Sequence, residues 1–192
     1  VDFLEASGQT YWQMLPVNPT GYADSPYQSS STFAGNPYFI SLEALIEEGL
    51  LKKSECSVLN RKVNATEIDY GRLYKERFKV LYKAYERSSF EKEKEYRAFE
   101  RKNRDWLGDY ALFMAIKNAN GGVSFNLWED GLRFRRAAAL KKAEKKYAKD
   151  IAFQKFLQYE FYRQWFKFKS YANENGIEII GDIPIYVSPD SS

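Results

Sequence analysis

Residues 177–187 read IEIIGDIPIYV, with Ile177, Ile179, Ile180, Ile183, Ile185 and Val187 in a nearly continuous β-branched run. Such a run reads as a strand buried on both faces. Gly181 and Pro184 are its only interruptions, and Asp182 is the one carboxylate between Ile179 and Val187. A second run, TYWQMLPV at 10–17, is aromatic and apolar and closes on Pro16, which fits a strand whose pairing stops there. Two fully buried strands suit a parallel sheet covered by helices. More than 150 residues separate them, and two strands do not make such a sheet alone. The chain therefore reads as a piece of a larger α/β protein.

The intervening sequence is mostly helical. VDFLEASG at 1–8 reads as the end of a helix stopped by Gly8. Ser41 is an N-cap for SLEALIEE, with Gly49 as the stop. Tyr70, Tyr74, Phe78, Leu81, Tyr82 and Tyr85 form one apolar stripe along a helix over 66–87. Ser88 and Glu91 have capping-box spacing for the helix after it. Trp106, Tyr110, Phe113 and Met114 repeat the pattern over 105–118, which stops at Asn120-Gly121-Gly122. One long helix is expected from about Leu132 to Ala172, ended by Asn175-Gly176.

Composition narrows the chemistry. The 192 residues carry 33 aromatics, 17% of the chain, at a mean hydropathy of −0.58, enough to fill a core under a charged surface. No apolar run approaches the ~20 residues of a membrane span, and no leader opens the chain. The lone Cys56 has no internal disulfide partner, which points to a reducing compartment and a cytoplasmic location. The absence of histidine rules out a Ser-His-Asp triad, a Cys-His dyad and His-ligated zinc within these residues. From Arg133 to Lys169 twelve basic residues face only Glu144, Asp150 and Glu160, a net of +9 in a chain of net +3, which leaves −6 elsewhere. This stretch reads as a solvated helix face. The alternative is a non-enzymatic helical module that binds nucleic acid or an acidic partner through it.

Residues 18–38, NPTGYADSPYQSSSTFAGNPY, form a long loop punctuated by Pro19, Gly21, Pro26, Gly35 and Pro37. Tyr22, Tyr27, Phe33 and Tyr38 imply that it is packed and ordered. Tyr27 beside Ser25 and Gln28 offers a flat ring for the C–H face of a sugar and short polar groups for its hydroxyls. The same tyrosines serve equally well as pins between loop and core. Asp182, in an apolar run, must be paired or hydrogen-bonded, either in a catalytic cup or at a turn before Pro184.

The stretch YWQMLPVNPTGYADSPYQSSSTFAGNPYFISLEAL, with LPVNPTG, DSPYQS and FAGNPY in order, resembles the amylomaltase family of 4-alpha-glucanotransferases. FLQYEFYRQWFKFKSYANENGIEIIGDIPIYVSPDSS is similar to the same family, and Trp128-Glu129-Asp130 resembles a shorter motif between the two. The resemblance implies an α/β fold, an incomplete segment of a (β/α)8 TIM barrel with a large helical insertion between two barrel strands. Residues 1–40 would be a barrel helix end, strand and substrate loop, 41–131 the insertion, and 132–192 the long helix and next barrel strand. It implies transfer of α-1,4-glucan segments between maltooligosaccharides by a retaining double displacement, through two carboxyl groups ~5–5.5 Å apart. Ser25 and Tyr27 would contact the glucan near the cleavage point, Tyr22 would belong to a more remote stacking surface, and Asp182 would be the aspartate at a barrel strand's C-terminal end. No metal or cofactor is implied, and neither nucleic acid nor membrane is an expected partner. The family's catalytic Asp and Glu and its His-Asp pair lie on later strands, so no catalytic residue falls within this segment and the remainder of the barrel is needed. Ser30 and Thr32 depart from residues common in relatives. A related hydrolase is a third reading.

Two expectations follow for the chain by itself. It should not turn over glucans. Its strands at 11–17 and 177–187 should leave apolar edges that drive self-association. Light scattering should then give a mass above that of the monomer.

Overall fold

Local signals set the helix ends. The computed structural model describes residues 1–21, 24–59, 68–185 and 188–192. Helix α1 (Asp2–Ala6) ends at Gly8, which takes the left-handed conformation (φ 72°) that glycine adopts without steric cost. Strand β1 (Tyr11–Gln13) follows, and then an irregular segment ending in a short 3-10 turn, Pro37–Phe39. Helix α2 (Leu42–Glu47) starts where Ser41 Oγ accepts from the Ala44 amide at 3.1 Å. Helix α3 (Lys53–Cys56) is tied to a later helix by Glu55, whose carboxylate takes a forked pair of contacts from Arg87 at 2.6 and 2.7 Å.

The helix expected over 66–87 lies partly outside the described residues. Within them it comprises α4 (Tyr70–Arg72), a π turn (Leu73–Arg77) and α5 (Phe78–Arg87). The π turn adds a residue to the helical repeat and rotates what precedes it. Phe78, Leu81, Tyr82 and Tyr85 consequently face the core while Tyr70 and Tyr74 are exposed. The Ser88–Glu91 capping box does not form. Ser88 Oγ instead donates back to the Tyr85 carbonyl at 2.8 Å, and Phe90 turns inward ahead of α6 (Lys94–Lys102).

Helix α7 (Leu107–Ala119) stops at Gly121 and Gly122, both at positive φ. The long helix expected from Leu132 is three: α8 (Asp130–Arg133), α9 (Ala137–Lys146) and α10 (Ala148–Glu174). The breaks fall at Arg135 (φ 53°) and Tyr147. Their cause is packing: Leu140 and Ala143 of α9, with Tyr147 and Ile151, join a small core with Leu112, Phe113, Ile116 and Trp128, whereas α10 from Phe153 on serves the main core. The basic residues there are partly paired, Lys149 with Glu86 (3.0 Å), Lys155 with Glu100 (2.7 Å), Arg135 with Asp109 (2.9 Å), and Arg163 with Glu48 and Glu160.

The main core surrounds the first half of α10. Phe153, Phe156, Leu157, Tyr159 and Phe161 meet Ile40, Leu45, Leu81, Phe90 and Tyr96, with edge-on ring pairs such as Tyr82–Phe153 (4.9 Å) and Phe90–Tyr96 (4.6 Å). Strand β2 (Glu178–Ile180) follows the Gly176 stop and pairs in parallel with β1, Trp12 opposite Ile179. One face of this pair packs on α10, with Trp12 edge-on to Phe168 at 5.6 Å. Tyr11, Gln13, Glu178 and Ile180 lie on the other face and are exposed. This corrects the expectation of two fully buried strands. Among the described residues each strand has one neighbour and one covered face, and the ladder is three residues long in each.

The segment 18–38 is irregular yet anchored. Gln158 of α10, fully buried, accepts from the Gly35 amide at 2.8 Å and donates to the Gly35 carbonyl at 3.0 Å. A Cβ at Gly35 would lie 1.9 Å from the Phe161 ring. Replacing Gln158 by Leu leaves two buried backbone groups unpaired, and each such loss costs about 1–3 kcal/mol. Q158L should therefore be about 2–6 kcal/mol less stable. Urea unfolding should show the lowered midpoint with an unchanged slope.

Candidate functional site

The site is built by two irregular segments that follow the C-terminal ends of the parallel strands. The first, after β1, is held from inside. Asn18 Nδ2 donates to the carbonyls of Ser31 (3.3 Å), Thr32 (2.7 Å) and Ala34 (3.1 Å), and the Asn36 amide donates to Val17 O at 2.9 Å. The Tyr162 hydroxyl donates to Phe33 O. At the outer end Asp24 takes the left-handed conformation (φ 53°) and its amide donates to Gly21 O at 3.0 Å. A turn through Pro26 follows, in which Ser25 Oγ accepts from the Tyr27 amide at 3.4 Å. This turn presents Tyr27 outward, 44% exposed.

The second segment begins where β2 ends at Ile180. Asp182 is half-buried in irregular backbone rather than inside a buried strand. The Tyr27 hydroxyl donates to Asp182 Oδ2 at 2.8 Å, joining residues 155 apart in the chain. The hydrogen bond to Asp182, with the nearby carboxylate charge, holds the Tyr27 phenol above its ordinary pKa. Ser25 is half-buried beneath the same turn. Tyr22 lies outside the described residues. Three of the four residues singled out from the sequence are thus brought together.

A cavity of about 460 Å³ opens beside Gly21. Tyr38, Tyr74, Phe78 and Tyr110 line it, with the buried side chains of Asn36 and Gln154. The Gln154 amide makes no hydrogen bond among the described residues. Sequence reading did not find this cavity. Its residues come from the loop, α4–α5, α7 and α10, and no spacing in the chain connects them. Among the described residues no three His, Cys, Asp or Glu side chains are placed to hold a metal ion, and no helix is long and apolar enough to cross a membrane.

Comparison with known proteins gives this geometry a family. A family model described as 4-alpha-glucanotransferase matches residues 1–192. The chain belongs to the 4-alpha-glucanotransferase family. It is 46% identical over 191 residues to the 4-alpha-glucanotransferase of Clostridium butyricum, covering 100% of this chain and 39% of that protein. It is 44% identical to the Thermus thermophilus enzyme of the same name, covering 99% and 38%. The same architecture occurs in the amylomaltase from Streptococcus agalactiae solved in complex with acarbose, with a TM-score of 0.91 and 39% identity, over 99% of this chain and 39% of that one. The chain therefore spans about two fifths of the length of the 4-alpha-glucanotransferases it matches.

The raised Tyr27 pKa has a definite pH consequence. The contact to Asp182 is complete while the phenol is protonated, below its ordinary value near 10, and is lost as pH rises through the displaced pKa. In D182N the acceptor remains but the carboxylate charge is gone. Tyr27 should then titrate at lower pH, as followed by NMR of ring-labelled tyrosine with Y27F fixing the assignment. An unchanged Tyr27 titration would show that Asp182 does not set it.

Proposed function

We propose that the chain is the glucan-holding part of a 4-alpha-glucanotransferase that transfers α-1,4-glucan segments between maltooligosaccharides by a retaining double displacement. The observation that carries this reading is the Tyr27–Asp182 hydrogen bond at the C-terminal ends of two neighbouring parallel strands. On this reading β1 and β2 are adjacent strands of a (β/α)8 barrel, whose active site lies at the C-terminal ends of its strands. Residues 1–40 bring helix end, strand and substrate loop, 41–131 the helical insertion, and 132–192 the crossover helix with the next strand. The remainder of the barrel completes the site.

The chemistry follows from what each group can offer. The Tyr27 ring supplies a flat apolar face for a pyranose, and its hydroxyl is fixed by Asp182. Asp182 keeps Oδ1 as an acceptor for a sugar hydroxyl, and Ser25 adds a short polar group beneath the turn. The aromatic cavity beside Gly21 offers a second place for the same glucan, where Asn36 and the unpartnered Gln154 amide meet hydroxyls between tyrosine rings. Tyr22, next to Gly21, would extend that stacking surface. A nucleophilic carboxylate and a carboxylic acid would flank the scissile bond, ~5–5.5 Å apart. Both are assigned outside residues 1–192. A second sugar's 4-hydroxyl, not water, would resolve the glycosyl-enzyme, and no metal or cofactor takes part. The free, buried Cys56 thiol supports a cytoplasmic setting.

The test separates holding from turnover. The chain should bind maltoheptaose in calorimetry, with Y27A weakening it roughly tenfold, a loss of ~1.4 kcal/mol. With maltotriose it should yield neither glucose nor longer oligosaccharides. Unaltered binding in Y27A, or turnover by residues 1–192, would overturn the proposal.

A further inference from the structure

The segment after β2 leaves its ladder at Ile180, and among the described residues no sheet hydrogen bond holds it beyond that point. It is fixed farther along by contacts other than the Tyr27–Asp182 bond. Asp190 Oδ1 accepts from the Phe125 backbone amide at 3.0 Å, and Oδ2 pairs with Lys117 Nζ. The Ser192 amide and hydroxyl both donate to Ser30 O, at 2.9 and 3.2 Å. Ser30 lies three residues beyond Tyr27 in the same loop. Within the segment, the Asp190 amide donates to Ser188 Oγ at 3.3 Å and Ser191 Oγ to Ser188 O at 2.8 Å. These short-range bonds aim the Asp190 carboxylate at α7.

The Lys117–Asp190 pair is built as an anchor. Its side chains are only 16% and 28% exposed, so the attraction is screened less than in a surface pair. The carboxylate is satisfied twice, by an ammonium and by a backbone N–H. Lys117 stands in the last turn of α7, whose Leu107, Tyr110, Ala111, Leu112, Phe113, Ala115 and Ile116 are all buried. The platform is therefore rigid, while the described residues of the tethered segment belong to no strand ladder. Fixing the far end of a loop narrows the positions open to its middle. Asp182 lies eight residues before Asp190, between the ladder and the anchor.

We infer that Lys117 and Asp190 are positioning residues: their ion pair clamps the segment after β2 to α7 and so sets where Asp182 meets Tyr27. The consequence for sugar binding rests on the glucan-holding function proposed above, whereas the geometric part does not.

The experiment reads both parts separately. Ring-labelled tyrosine in the whole chain reports the Tyr27 titration, and calorimetry reports maltoheptaose affinity. D190N keeps an acceptor for the Phe125 amide but removes the charge that holds Lys117. Tyr27 should then lose most of the upward displacement that D182N also removes, and maltoheptaose should bind roughly three- to tenfold more weakly. K117M should do the same, and K117R should restore the Tyr27 titration. Lys117 also lines the aromatic cavity, so D190N, which does not touch it, is the cleaner sugar test. A Tyr27 titration in folded D190N or K117M identical to that of the parent would overturn the inference. Unfolding of both variants would make the pair a general stability element and would overturn it as well. A parent chain that ignores maltoheptaose, while Tyr27 still responds to D190N, would remove the proposed function and leave the clamp standing.

Discussion

One buried primary amide holds the long loop in place. Residues 34–37 are buried in irregular backbone, where N–H and C=O groups have no ladder to satisfy them. The side chain of Gln158 stands in for a neighbouring strand, closing on both polar atoms of Gly35. The arrangement requires glycine, because the Phe161 ring fills the space a Cβ would occupy. Gln158 and Phe161 are three apart on α10 and so share a face. Ring and amide together fix the loop's distance and its orientation.

That constraint explains how residues 155 apart come into contact. Helix α10 holds the loop carrying Tyr27 through Gln158, and at its own end it delivers β2 and then Asp182. Its middle is buried in the main core, so the two halves of the site hang from one rigid body. Beyond α10, side-chain contacts hold each segment. The contacts of Asn18, of Ser30 with Ser192, and of Lys117 with Asp190 act there. Secondary structure sets the approximate place of each half, and side-chain tethers set the final few ångströms.

Much of this was legible because local signals and tertiary packing agree. Ser41 starts its helix, and Gly49, Gly121 and Gly176 end theirs, where the chain pattern puts them. Tyr27 and Asp182 stood out because each breaks its surroundings, a ring among short polar residues and a carboxylate in an isoleucine run. The departures arise where no local signal exists. No glycine or proline marks the break at Tyr147; two separate cores demand it. The π turn at 73–77 ends on the half-buried Arg77, whose guanidinium reaches back to the carbonyls of Pro37 and Ile40. An even apolar stripe gives no hint of that pull. An isoleucine run suggests a strand buried on both faces, because it does not say which element covers it. The aromatic cavity has no sequence signal for a related reason, since its lining is drawn from four segments far apart in the chain.

The electrostatics of the site also bear on what it can hold. No cation pairs with Asp182 among the described residues, and its one protein contact there is a hydroxyl. An uncompensated carboxylate repels phosphates and carboxylates, while its free oxygen welcomes an O–H donor. Three basic residues of α10 that would suit an anion, Lys149, Lys155 and Arg163, are held by Glu86, Glu100, Glu48 and Glu160. Aromatic rings beside neutral amides and a lone carboxylate acceptor match a neutral polyhydroxyl chain, whose hydroxyls donate and whose C–H faces stack. On the reading proposed above, charge placement favours a glucan over a nucleic acid through the same aspartate that the loop geometry brings to Tyr27.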